Sequence, residues 1–240
     1  MEYQERTYRG WVRGEGLVCS KIAEGETDLM ILAARDVSGR AMEIAHGARE
    51  ELSTYIMRDG EFQRSLSPRD VLPDAPAIAK EMARASAAFG VGPMAAVAGA
   101  IAARVGRELS EEFGDVIVEN GGDIFVASPG PVVFGFYAGE GSPFTGKLRF
   151  RTTCGLERYG VCTSSGTVGH SLSFGRADAL CVLCEEAAEA DAAATALANL
   201  IKEKEDVGLA VDEARRHPEI LGIIAAKDDR IGIWGKIEVL

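Results

Sequence analysis

DVIVENGGDIFVA, residues 115–127, sets two short apolar runs on either side of a polar turn. Asn-Gly between such runs is a strong hairpin signal, because the turn needs positive φ angles that Asn and Gly tolerate. The stretch therefore reads as two strands, 115–119 and 123–127, folded back on each other. The flanking Glu119 and Asp123 exceed what a turn requires, so the loop could present Asn120 and Asp123 to a ligand. An ordinary turn is the plainer reading.

Outward from this hairpin the same pattern recurs. Residues 8–13 and 17–34 read as strands around turns, as do 131–138, 147–153, 159–164 and 177–184. The chain closes with a hairpin over 221–240, turning at Asp228-Asp229. Four helices separate these runs. The first spans 38–58, with Ser38 as candidate N-cap and Ile44, Ala48, Leu52 and Ile56 on one stripe. The second spans 74–89, with Asp74 as cap, Pro76 in the first turn and Gly90 as terminator. The third, 93–109, is apolar nearly all round in its first half and should be a buried central helix. The fourth spans 187–204. Runs of neighbouring strands alternating with helices favour an α+β fold over a wheel of βαβ units.

The chain has 240 residues and a formal net charge of −11, with no block of Lys and Arg. That excludes nucleic acid and anionic membrane as natural partners. The longest apolar run, 94–103, falls far short of the ~20 residues of a membrane span. The N-terminus lacks the apolar stretch of a signal peptide, so a cytoplasmic location is expected. The five cysteines are odd in number and scattered, which suits reduced thiols better than a disulfide framework.

Three patterns imitate known sites. GSPFTGK at 141–147 has the spacing of a phosphate loop, but Leu148 stands where Ser or Thr is needed and a strand follows. Gly90-Val91-Gly92 follows a helix, whereas a dinucleotide fingerprint follows a strand. Cys181 and Cys184, three apart on a strand, point to opposite faces and cannot chelate together.

Other positions could carry chemistry. Asp191 and Thr195 lie one turn apart on a helix of small residues, and a carboxylate with a hydroxyl is a partial oxygen cage for Mg2+. The plainer reading is an acidic residue near a helix N-terminus. Gly92 leads into the helix at Pro93, where backbone N–H groups suit phosphate. GVCTSSGTVGHSLSFG at 160–175 puts Thr163, Ser164, Ser165 and Gly166 at a strand end, a stretch bare enough for a phosphate or ribityl chain to lie against. His170 could act as acid or base, and Cys162 as a nucleophile if its pKa were lowered. Against these stand a wide turn and an incidental thiol.

In this order the pieces resemble the ApbE superfamily, whose characterised members are FAD:protein FMN transferases. The resemblance rests on Asn120-Gly121-Gly122-Asp123-Ile124, Cys162-Thr163-Ser164-Ser165-Gly166, His170 and Asp191-Ala-Ala-Ala-Thr195-Ala-Leu197, with Val91 to Ala96 before them. It covers about residues 90–200. Glu26 to Leu29, Phe62 to Pro68 and Gly90 to Gly99 extend it over most of the chain toward a short branch that lacks parts of the transferase motifs. It implies one ApbE-like domain over 1–240, with a mixed sheet and packed helices around the buried one. It also implies Mg2+ at Asp191 and Thr195, and a pocket for FAD, FMN or another phosphate-bearing small molecule formed by Gly92, Asn120 to Asp123 and Thr163 to Gly166. Phosphoryl or nucleotidyl (FMN) transfer with His170 nearby would be the reaction. The family's Asp-Pro after the histidine is Ser173-Phe174 here, so an acidic group is missing beside that chemistry. Two alternatives stand beside this. One is a thiol or persulfide protein acting through Cys162 in homocysteine formation, since the short branch is associated with sulfur assimilation in some anaerobes. The other is a non-catalytic binding or assembly protein, with self-association left open.

Overall fold

The structure is a computed structural model that describes residues 16–166 and 174–240. The strand expected at 8–13 and His170 lie outside the described residues.

Eight strands form one sheet. β1 (Val18–Glu24) and β2 (Thr27–Ala33) are a hairpin, followed by β3 (Val116–Asn120), β4 (Asp123–Ala127), β7 (Arg158–Ser164), β8 (Ala179–Cys184), β9 (Ile220–Lys227) and β10 (Arg230–Gly235), in that spatial order. β5 (Val133–Gly135), β6 (Arg149–Thr152) and β11 (Ile237–Val239) make a second, three-stranded sheet. Every pairing among the described strands is antiparallel, so the expected mixed sheet is antiparallel throughout. The α+β class follows, because each strand meets its neighbour through a turn or an excursion and no crossover is needed.

The helices are α1 (Ser38–Arg58), the short α2 (Gly60–Arg64), α3 (Ala77–Ala88), α4 (Val97–Phe113), α5 (Ala187–Ala198) and α6 (Val207–Ala214). A 3-10 turn over Pro93–Ala96 leads into α4. Helices cover one face of the large sheet and the small sheet backs the other. Phe125, Cys162, Val182 and Ile223 pack with α4 and α5 residues on the first face, whereas Val161, Cys181, Leu183 and Ile224 pack with Phe134 and Phe150 on the second. β8 is buried at all six positions because both faces are covered. Its sequence accordingly runs apolar without alternating. Cys181 and Cys184 fall on opposite faces, as their spacing requires.

α5 explains how closely the layers approach. Its sequence, AAEADAAATALA, places almost no bulk between α4 and the sheet. Ala187 sits between two glycines: a Cβ on Gly160 of β7 would overlap its Cα, and a Cβ on Gly99 of α4 would overlap its carbonyl. Interiors packed this densely do not absorb an added methyl without backbone movement.

Several local expectations change. Ser38 is the first residue of α1 rather than its cap; the Asp36 carboxylate accepts its N–H at 2.9 Å. Asp74 does not cap α3 but pairs with Arg58 at 2.8 Å, and Pro76 takes the cap position. The helix expected to run through 204 stops at Ala198. It restarts as α6 after a capping box in which Glu203 and Asp206 satisfy each other's backbone amides. Among the described residues no single helix is long and apolar enough to cross a membrane.

Candidate functional site

The β3–β4 hairpin pairs Asn120 with Asp123, so the two-residue turn is Gly121-Gly122 rather than Asn-Gly. Both glycines hold positive φ, 69° and 105°. Glu119 completes the turn by accepting the Gly122 N–H at 2.8 Å. Asn120 is thereby released from turn duty, and its Nδ2 donates to the Ala98 carbonyl at 3.2 Å, in the first turn of α4.

Asp123, the first residue of β4, shares the helix-covered face with Phe125 and lies opposite Cys162 of β7. It is 8% exposed. Burial and the nearby Asp191 carboxylate push its pKa well above the ordinary carboxylate range, while the Cys162 thiol and the Thr163 amide draw it partly back. Asp191 reaches this spot from α5. Burial raises it to about 7 against the opposing pull of the Gly99 and Ala98 amides. Its Oδ2 accepts the Gly99 N–H at 2.9 Å. Asp191 therefore caps the start of α4 from 92 residues away, at a helix whose own N-cap residue, Ala96, has no side chain for the task. The plainer reading placed this carboxylate near the N-terminus of its own helix; the helix it serves is α4.

Two carboxylates, Asp123 buried and Asp191 half-buried, thus meet at the α4 N-terminus. Among the described residues, the groups acting on Asp123 are a thiol, an amide and two acids, Asp191 and Glu119, with no cation among them. Such a pair retains a proton at neutral pH or is relieved by a cation. Thr195 follows Asp191 by one turn, half-buried. Among the described residues no group of three or more His, Cys, Asp or Glu is disposed to hold a metal. A carboxylate pair plus a hydroxyl fits Mg2+, which keeps several waters and uses few protein ligands.

The other expected site residues divide. Ser164 is buried, and the alternation of β7 puts it on the Asp123 face with Cys162. Thr163 acts on Cys181, on the opposite face. Ser165 donates its hydroxyl to the Asp178 carbonyl at 2.7 Å. Gly166 lacks a side chain because Gly175 crosses it: a Cβ would overlap the Gly175 carbonyl. Gly92 likewise makes room for the chain itself, at the Ser65 carbonyl.

Cys162 is corrected as a nucleophile. It is wholly buried and donates its thiol to the Ala187 carbonyl at 3.2 Å. Burial, with Asp123 and Asp191 nearby, pushes its pKa well above normal. A reactive thiolate needs the reverse, an electropositive and accessible setting. The described surface also carries a shallow groove lined by Glu50, Glu51, Tyr55, Arg58 and Asp74, apart from these motifs.

A protein-family model described as AbpE bacteria matches residues 9–218. The chain is 44% identical over 206 residues to UPF0280 protein MJ1526 of Methanocaldococcus jannaschii, covering 84% of this chain and 83% of that one. It is 43% identical over 214 residues to a UPF0280 protein of Methanospirillum hungatei, covering 88% and 85%. Among solved structures it is similar to the flavin transferase ApbE from Vibrio cholerae, H257G mutant, with a TM-score of 0.56 and 15% identity over 91% of this chain and 96% of that one. At that identity the likeness is one of fold. With the match reaching from the edge of the large sheet past the Asp123–Asp191 pair, the chain belongs to the AbpE bacteria family and has the fold of the ApbE flavin transferases.

Proposed function

We propose that this protein binds a phosphate-bearing nucleotide, a flavin nucleotide first among them, through Mg2+ at Asp191 and Thr195 with Asp123 alongside. The observation that carries the reading is the Asp123–Asp191 pair: two acids from separate motifs, Asp123 buried and Asp191 half-buried, with no cation among the described groups acting on Asp123. Placing charge so costs stability, and a site that takes a cation recovers that cost. The helix N-terminus cannot serve phosphate unaided, because Asp191 already takes the Gly99 amide. An anionic ligand would therefore be drawn to this spot by a cation.

Mg2+, when bound, would neutralise charge on a phosphoanhydride. Asp191 would supply one ligand oxygen while its Oδ2 stays on Gly99, Thr195 would supply a hydroxyl, and Asp123 would give up its proton as the cation arrives. Asn120 and Ser164, on the same face, would line the floor. Family membership and the fold support the flavin class and nucleotidyl transfer as the reaction. The thiol alternative loses its support with the burial of Cys162.

The test is thermal unfolding with FAD, FMN and ADP, each with and without Mg2+. A ligand at ~100 times its Kd adds about 2.7 kcal/mol. FAD with Mg2+ should raise Tm in the natural protein and not in Asp191→Ala. No shift with any of the three, or an equal shift in the variant, would overturn the proposal.

A further inference from the structure

We propose that Asn120 is a positioning residue for Asp191, acting through the peptide between Ala98 and Gly99. The inference rests on the reading of Asp191 as a cation ligand. Asn120 donates to the carbonyl of that peptide at 3.2 Å, and its N–H donates to Asp191 at 2.9 Å. Carbonyl and N–H belong to one rigid plane. Turning one end turns the other, so a side chain from the sheet and a carboxylate from α5 grip a single peptide at both ends.

Three features make the grip specific. The turn is closed by Gly121 and Gly122, which leaves the Asn120 side chain for this contact. Asn120 is 5% exposed, so water does not compete freely for its amide. Gly99 lets α5 close directly onto the peptide, since a Cβ there would overlap the Ala187 carbonyl and come within 2.9 Å of the Asp191 Cβ. The end of β3 thus sets the geometry of both acids: Asp123 sits opposite Asn120 across the turn, and Asp191 is fixed through the peptide. Partners of metal ligands act in this way on the metals they never touch.

The experiment uses the full chain as Asn120→Ala, Asp191→Asn and the double variant. Hydrogen exchange of the Gly99 amide is followed without metal, and Mn2+ affinity by the electron paramagnetic resonance of the bound ion. First-turn amides have no partner within the helix, so Gly99 protection reports the Asp191 contact. Asn120→Ala should speed Gly99 exchange and weaken Mn2+ binding by about tenfold, with circular dichroism unchanged. Asp191→Asn should also speed exchange, and the double variant should exchange no faster than Asp191→Asn alone. Gly99 exchange or Mn2+ affinity in Asn120→Ala within about twofold of the natural protein would overturn the inference, as would multiplicative exchange effects in the double variant. Should Asn120→Ala fail to fold, Asn120→Ser, too short to reach Ala98, is read by the same criteria. If Asp191→Asn binds Mn2+ as the natural protein does, the cation reading itself falls. If Asp191→Asn loses Mn2+ and Asn120→Ala keeps it, only the positioning role falls.

Discussion

The two faces of the large sheet are both covered and differently made. The face under the small sheet is filled by Val126, Val161, Leu183, Phe134 and Phe150, with Tyr159 among them. The face under the helices is just as apolar over most of its length, yet Asn120, Asp123 and Ser164 gather on it where β3, β4 and β7 end, with Asp191 above. The second face also holds a buried acid, Glu119, but the hairpin turn employs it, since it accepts the Gly122 N–H. Asp123 closes no turn and faces a second acid, which is what singles out that corner as a candidate site.

The comparison is best broken by substitutions graded in effect. The largest belongs to Gly160→Val, which would drive a side chain into the backbone of Ala187. Overpacking against backbone should cost more than about 3 kcal/mol or abolish folding, as read by urea unfolding. Gly222→Ala, on the other face, meets the movable Ile237 side chain at 2.9 Å, with the Trp234 carbonyl no nearer than 3.3 Å, and should cost about 1 kcal/mol.

Thiol labelling comes next. Cys19 is exposed, Cys154 half-buried, and Cys162, Cys181 and Cys184 buried. A chromogenic disulfide at neutral pH should label Cys19 promptly and the three buried thiols only on denaturation. Prompt labelling of Cys162 would revive the thiol reading.

The acids predict a pH dependence. Asp191 is raised to about 7 and Asp123 is raised as well, so between the unfolded carboxylate range and about 7 the folded state binds more protons than the unfolded one. Their contribution to stability is full below the unfolded pKa and is lost as pH rises through the raised folded values, about 7 for Asp191. In metal-free protein, Asp123→Asn should therefore unfold at a higher temperature than the natural chain at pH 8, with the gap narrowing toward pH 4. Equal gaps at the two pH values would sink the account of a strained pair.

The smallest effect is expected of Tyr159→Phe. The hydroxyl is buried beside the Thr152 side chain and makes no hydrogen bond of good geometry among the described residues. Removing it should leave stability unchanged or raise it by up to about 1 kcal/mol, by calorimetry. A clear loss would show that the second face also depends on a polar contact.

Much of the frame was legible in the residues. The β3–β4 hairpin, the span of α1, the buried α4 and the closing turn at Asp228-Asp229 follow from period and turn chemistry, which act within a few residues. What stayed hidden depends on contacts between distant segments. Asp191 as the cap of α4 has no local signal, because its partner lies across the fold. Gly92 and Gly166 looked like room for a ligand because sequence does not show which backbone passes close by. α6 was missed because the Glu203–Asp206 box lies inside a run of charges that continues the preceding helix by pattern. The Asp123–Asp191 pairing was legible only through the family resemblance, which set their motifs side by side before any distance was known.

Ala187, held between Gly99 and Gly160, has a consequence for synthesis. A polypeptide emerging from the ribosome carries α4 and most of the strands long before α5 exists. Until that late helix slides into its slot, the α4 N-terminus lacks its cap and Asp123 lacks its neighbour. A nascent chain halted before residue 187 therefore holds Asp123 without Asp191, and the corner where the two acids meet has yet to be made.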